Sequence, residues 1–325
     1  MQLSPPNLSI IVSHVIESAC GIDLADTRAF SQPGFFFNEP AHLRQQGNTA
    51  HTILAVNQLT GYIDGRCTFF QHDQQVVSPL AAPFGSIEFV PDLPDTVLVE
   101  LIQRLIKLAE TTGATSIRLV NYPGCYAPEQ TTRLLDQLAR HGFRTTATYE
   151  NFHLTVSQQP FEQRIISAEQ RRLRKCRAAG FRFAQWFPPD IFVATTFIER
   201  IHQQRNHAQT IAPAQLTKLI QTFPDRFPLF GVWDVGRLIA LVVAVRVSPG
   251  ILYHFLPVSD PAYDAYSPMV LLIDGLWTYC QQQSIALLDL GVSLNSDRTP
   301  KPSLMQFKRN LGAQTSLKTT VERLL

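Results

Sequence analysis

Residues 51–57 (HTILAVN) and 62–70 (YIDGRCTFF) set apolar positions against polar ones in short runs, and Gln74–Leu80 follows a polar turn at His72-Asp73. This patterning predicts strands, with another over Ile87–Val90. The period then changes. Val97, Leu98, Leu101, Ile102, Leu105, Ile106 and Leu108 recur at helical spacing up to Thr112-Gly113, predicting an amphipathic helix with Asp95 as its N-cap. A strand over Ser116–Pro123, a helix over Glu129–His141 and one or two strands in residues 143–156 complete this half. Thr155–Pro160 reads as a polar link. Beyond it the pattern predicts helices over Phe161–Ala179, Asp190–His207 and Ala214–Phe223. Strands follow over Phe227–Asp234 and Arg237–Val247, joined tightly at Val235-Gly236, a hairpin signal. A third strand, Ile251–Val258, leads through the loop Ser259–Ser267 to a helix, Pro268–Gln283. Ser284–Gly291 (SIALLDLG) is then a short buried strand that stops at an acid and a glycine.

The two halves share an order: antiparallel strands, loop, amphipathic helix, buried strand, closing elements. No residue-level repeat accompanies it, so the order itself points to a duplicated fold. A length of 325 residues suits two domains. The net charge of +2 carries no signature of a nucleic-acid binder. The N-terminus has no basic leader before Glu17, and apolar runs such as Leu238–Val245 fall short of the roughly 20 residues of a membrane helix. No integral membrane segment is therefore expected. Five scattered cysteines, without a CxxC pair, read as reduced thiols of a cytoplasmic protein, and no metal site is expected. HExxH, GxSxG, P-loop and GxGxxG patterns are absent.

Five stretches carry a family likeness. They are Pro83-Phe84-Gly85-Ser86 before Glu88, the helix RRLRKCRAAGFRF at 171–183, Tyr253-His254-Phe255, Asp289-Leu290-Gly291, and Phe307-Lys308 before Leu311-Gly312-Ala313. In order and spacing they resemble the double-GNAT superfamily, the Fem-type aminoacyl or peptidyl transferases and related bacterial acetyltransferase-like proteins, over most of residues 50–325. The resemblance implies an α/β chain of two tandem GNAT-like (acyl-CoA N-acyltransferase) domains with mixed, mainly antiparallel sheets, at 1–157 and 158–325. It implies an acyl or aminoacyl transferase acting on an amine or hydroxyl of a small-molecule, cell-envelope or polysaccharide precursor. The donor it leaves open is acyl-CoA or aminoacyl-tRNA, with tRNA as an attendant partner. The alternative is a double-GNAT binding or scaffold protein without catalysis. In such folds two central strands splay and the donor's pyrophosphate meets a helix N-terminus, here that of the helix starting at Pro268. The facing loop reads SDPAYDAYS, with no glycine and with Asp260 and Asp264, whose charge would repel a pyrophosphate.

Candidate chemistry follows from residue type and place. His254, Asp289 and Glu88 are candidate bases, and Tyr266 a candidate proton donor to the leaving group. Tyr253 and Ser267 flank the expected donor site. Arg171, Arg174 and Lys175 share one helix face and are expected to dock an anionic substrate, as is Lys308 after Phe307. Each has a plain structural reading beside it: a hydrogen-bonded strand histidine, a loop-capping aspartate, a surface-facing Glu88, a solvated basic helix, a lysine paired with a surface acid.

Overall fold

The computed structural model describes residues 13–47, 49–207 and 211–325. The first part of the apolar stretch Leu8–Ile16, residues 8–12, lies outside the described residues. Two compact units result, one from residues up to Thr148 together with Lys318–Leu325, the other Tyr149–Leu317. The chain changes unit nine residues before the division expected at 157/158, and its last eight residues return to the first unit. In both places the change falls inside a long strand.

The first unit holds β1 (His14–Cys20), a short helix α1 (Pro40–Leu43), β2 (Ala50–Asn57), β3 (Ile63–His72), β4 (Gln75–Ser78), β5 (Ile87–Phe89), α2 (Asp95–Thr111), β6 (Ser116–Val120) and α3 (Pro128–Arg140). Strands β1, β2 and β3 run antiparallel; β4 and β5 both pair with β3, and β4 lies parallel to β6. α2 buries Val97, Leu98, Leu101, Ile102, Leu105 and Ala109, the face its spacing predicts. Each of the Val, Leu and Ile side chains contributes roughly 1.5–3 kcal/mol when fully buried. Asp95 is not the N-cap. Pro94 holds that place, and Asp95 lies in the first turn, where it accepts Arg133 of α3 at 2.7 Å.

The second unit begins within β7 (Arg144–Thr155) and continues with α4 (Ser167–Ala178), β8 (Arg182–Gln185), α5 (Ile191–Gln204), α6 (Pro213–Thr222), β9 (Leu229–Asp234), β10 (Arg237–Ser248), β11 (Ile251–Ser259), α7 (Pro268–Gln282), β12 (Leu287–Val292) and α8 (Pro302–Asn310). The chain ends in β13 (Gln314–Leu324), whose residues 320–324 pair with β6. Within this unit the strands lie in the order β7-β12-β11-β10-β9-β8, all antiparallel except β11 and β12. The sheets are thus mixed and mainly antiparallel. α7 covers one face, burying Val270, Leu272, Ile273, Leu276 and Trp277 against Phe230, Val242, Leu252 and Leu288. A side chain at Gly275 would meet the Phe183 ring at 2.2 Å, so this helix reaches β8 only through glycine. The expected helix Phe161–Ala179 is instead a single turn, Phe161–Gln163, followed by α4. Phe161 and Ile165 are both buried in the core, and the Ile166 N–H is bonded to the Asn310 carbonyl, which breaks the run.

Candidate functional site

The centre of the second unit is a parallel pair that comes apart. β11 and β12 pair at Ile251↔Leu287, Leu252↔Leu288 and Tyr253↔Asp289, and no further, though β11 runs on to Ser259 and β12 to Val292. The cause lies in β11. A two-residue step on β10, Val243 to Val245, faces a three-residue step on β11, Leu256 back to Tyr253. One extra residue at His254–Phe255 makes a bulge, which bends its strand and ends regular pairing. On the far side of β12 the register with β7 also slips, between Asp289 and Gly291.

The last regular rung therefore crosses three strands: Tyr253, Asp289 and His153. The rung before it, Leu252, Leu288 and Leu154, points into the core beneath α7. By strand alternation the Tyr253–Asp289–His153 row faces the other way. Its members sit side by side, since directly opposed Cβ atoms lie about 4.5–5.5 Å apart.

Asp289 is 1% exposed and well held. Its Oδ1 accepts Asn151 Nδ2 at 2.7 Å and the Gly291 N–H at 2.8 Å. Lys308, 5% exposed, donates from Nζ to the carbonyls of Gly291 and Val292 at 2.9 and 2.8 Å. Gly291 itself has φ +71°, and a Cβ there would lie 3.0 Å from the Tyr253 ring. Carboxylate, lysine and glycine together brace the strand end where the splay opens. The electrostatics follow from burial. Burial pulls the Lys308 ammonium down to about 7, against the opposing pull of Asp289. Burial and the nearby Lys308 charge push His254 down to about 3. Burial and the Asp289 charge raise the Tyr253 phenol, so it keeps its proton. Burial lowers His153, with Asp289 and the Asn151 backbone pulling it up.

Residues 162–309 match the family profile described as "Acetyltransferase (GNAT) domain". Among solved structures, FemX is similar with a TM-score of 0.69 at 13% identity, over 95% of this chain and 97% of that one. The fold is the GNAT fold. A DUF2156 domain assigned to a lysylphosphatidylglycerol synthetase from Agrobacterium fabrum is similar at TM-score 0.59 and 12% identity, over 93% of this chain and 91% of that one. A tandem GNAT protein from the clavulanic acid biosynthesis pathway gives 0.54 and 12%, over 95% and 98%. No curated protein sequence matches the chain.

Within this GNAT fold the residues singled out from sequence separate into groups. Tyr253, His254, Asp289 and Lys308 come together around the splay, with Asp289 and Lys308 serving as braces rather than reaching outward. Tyr266 and Ser267 stand at the start of α7. The Tyr266 ring packs on Phe181 at 5.1 Å and lies under Lys175 Nζ at 4.5 Å, while Ser267, at φ +57°, turns the chain into the helix. The basic helix is largely spent on its own unit. Arg174 Nε donates to Glu162 at 2.8 Å and Lys175 Nζ to the Ala265 carbonyl at 2.8 Å, while Arg171 is an exposed side chain with neither a hydrogen bond nor an ion pair among the described residues. Glu88 lies in the first unit and does not face solvent. It is 3% exposed, accepts Arg66 at 2.8 and 3.0 Å, the Phe35 N–H at 2.7 Å and Asn38 at 3.1 Å, and so closes an ion pair inside the fold. The loop aspartates are paired too: Asp260 with Arg237 at 2.9 Å and Arg200 at 3.4 Å, Asp264 with Arg205 at 2.5 Å. Sequence reasoning missed Asn151 and His153. Both sit in an unremarkable strand, and only its pairing with β12 brings them to Asp289. No group of three or more metal-ligating side chains occurs among the described residues.

Proposed function

We propose that the chain is an acyl or aminoacyl transferase acting on an amine or hydroxyl of a cell-envelope or polysaccharide precursor, by direct transfer in a ternary complex. The observation that carries this reading is the splay of β11 from β12 immediately beyond the Tyr253–Asp289 rung. A parted strand pair leaves backbone N–H groups without strand partners, and such groups can hold the oxyanion of an attacked acyl carbonyl. Tyr253 is a proton donor for the leaving group, because its environment keeps the phenol protonated. Asp289 fixes the strand end on which the geometry depends. Lys308, donating to the Gly291 and Val292 carbonyls, braces the same strand end beside the opening. His254 is a poor proton acceptor at about 3, and Glu88 is occupied by Arg66. A neighbour of the same fold is named for lysylphosphatidylglycerol, an aminoacylated lipid, which supports an aminoacyl donor and an envelope acceptor. Acyl-CoA and aminoacyl-tRNA are both donors to test. No helix among the described residues is long and apolar enough to cross a membrane, and the five free cysteines suit a cytoplasmic setting.

The test is a panel of acetyl-CoA, aminoacyl-tRNA and acylated carrier protein, each offered with amine and hydroxyl acceptors. Consumption of one donor by the wild type, reduced at least tenfold by Tyr253→Phe, is the expected result. If no donor is consumed while a pathway partner co-purifies, a non-catalytic scaffold replaces this reading. The glycine-free loop 259–267 is the one feature that favours that alternative.

A further inference from the structure

Asp289 is a weak choice for the group that takes the acceptor's proton. Its Oδ1 already receives two N–H donors, and only 1% of the residue is exposed. Lys308 is held by two carbonyls, and His254 is too weakly basic. One titratable side chain of the rung is left. His153 stands directly across from Asp289, at the last pairing before the β7–β12 register slips. It is 8% exposed, and its Nδ1 is buried without a hydrogen bond of normal geometry. The ring sits across from the Asp289 carboxylate, one strand from the splay and on the same face as Tyr253, and Asp289 and the Asn151 backbone hold its basicity up against burial.

We propose that His153 is the general base of the transfer, a role that rests on the transferase reading above. The acceptor's N–H or O–H proton passes to the imidazole as its nitrogen or oxygen forms the new bond to the acyl carbon. The bond from that carbon to the leaving group breaks, and the leaving group departs with the electron pair and the Tyr253 proton. Solvent carries the proton of the His153 imidazolium back to Tyr253. Asp289 acts as a positioning residue, which steadies the imidazolium as it forms. The charged group acting on the ring is Asp289 on β12, with Tyr253 on β11 next along the same row. Asp289 and the Asn151 backbone raise its basicity, against burial.

The experiment uses the full chain and whichever of acetyl-CoA or aminoacyl-tRNA the wild type consumes. His153→Gln should lower kcat about 10²–10⁴-fold with KM changed by only a few-fold, the range of a lost general base. His153→Gly should recover part of that loss when imidazole is added, which a merely structural histidine would not show. The acidic limb of the wild-type pH profile should disappear in His153→Gln. An active wild type with His153→Gln unchanged in kcat, or with no rescue in His153→Gly, overturns the base and leaves the transferase reading intact. A wild type inactive on every donor overturns the transferase reading and the base together.

Discussion

Lys308 offers the sharpest physical test of the site. An ordinary lysine titrates at 10.5, and burial brings this one to about 7. The difference of about 3.5 units, at roughly 1.4 kcal/mol each, sets a ceiling near 5 kcal/mol on the cost of keeping the ammonium charged in the fold. Relaxation around a buried ion reduces such ceilings, so a few kcal/mol is the expected size. The sign follows from proton counting. Between pH 7 and 10.5 the unfolded chain binds this proton and the folded chain largely does not, so stability rises with pH across that window. Below 7 both states are charged and the full cost applies. Above 10.5 neither is charged and the cost vanishes. Lys308→Met abolishes the rise. It also strands the Gly291 and Val292 carbonyls, at about 1–3 kcal/mol each, but that loss does not vary with pH. Urea unfolding at half-unit steps from pH 7 to 10, followed by tryptophan fluorescence, reads the right part of the chain: all three tryptophans, Trp186, Trp233 and Trp277, lie in the second unit. The wild-type minus Met difference should climb by up to about 1.4 kcal/mol per pH unit. Its other titrating neighbour, His254, sits far below the window at about 3 and does not interfere. Parallel curves for the two proteins across this range would refute the argument that Lys308 is held neutral by burial.

Two further substitutions probe the bracing of each unit. Gly291→Ala forces a side chain into a left-handed backbone, costing about 1–2 kcal/mol, and pushes a methyl to 3.0 Å from the Tyr253 ring; the fluorescence-detected urea midpoint should fall and donor turnover with it. Glu88→Ala leaves Arg66 buried without its carboxylate and should cost the first unit about 3–5 kcal/mol by far-UV circular dichroism. Adding Arg66→Met to Glu88→Ala should restore part of that loss, and a double variant no more stable than the single one would argue against the ion pair as the cause.

Legibility in the sequence depended on how local the determinant was. α2 and α7 were readable because their apolar faces are written in consecutive turns, and the hairpin at Val235-Gly236 because its turn residues are adjacent. β8 was not, since its four residues are mostly exposed and carry no alternation to detect. β13 is polar for most of its length, and its buried part, Thr319–Val321, follows from strand pairing such as that with β6, which no local pattern announces. The site divides the same way. Tyr253 and Asp289 stand in strands that sequence patterning marks. Asn151 meets Asp289 across a separation of 138 residues, and no local signal encodes that register. The basic helix misled for a related reason. Its charges were visible, but Glu162 before it and Asp274 on α7, which pair with Arg174 and Arg177, belong to other elements.

The loop 259–267 shows why charge read along a chain differs from charge in a fold. Its two aspartates argue for repelling an anionic donor. In the fold they are met by Arg200, Arg205 and Arg237, so neither aspartate stands as an uncompensated charge. The side chains of Arg200 and Arg237 remain 45% and 56% exposed, open to an approaching anion. The missing glycines have a conformational answer as well, because Ser267 takes the left-handed turn at φ +57° that leads into α7. Under the proposed transferase reading, such a loop would meet an anionic donor by arginine charge rather than by close backbone approach. Recognition of that form falls steeply with ionic strength, whereas a cradle of backbone N–H groups, buried against the ligand, is screened far less. Salt dependence of donor affinity therefore separates the two designs, and Arg237→Ala should flatten it.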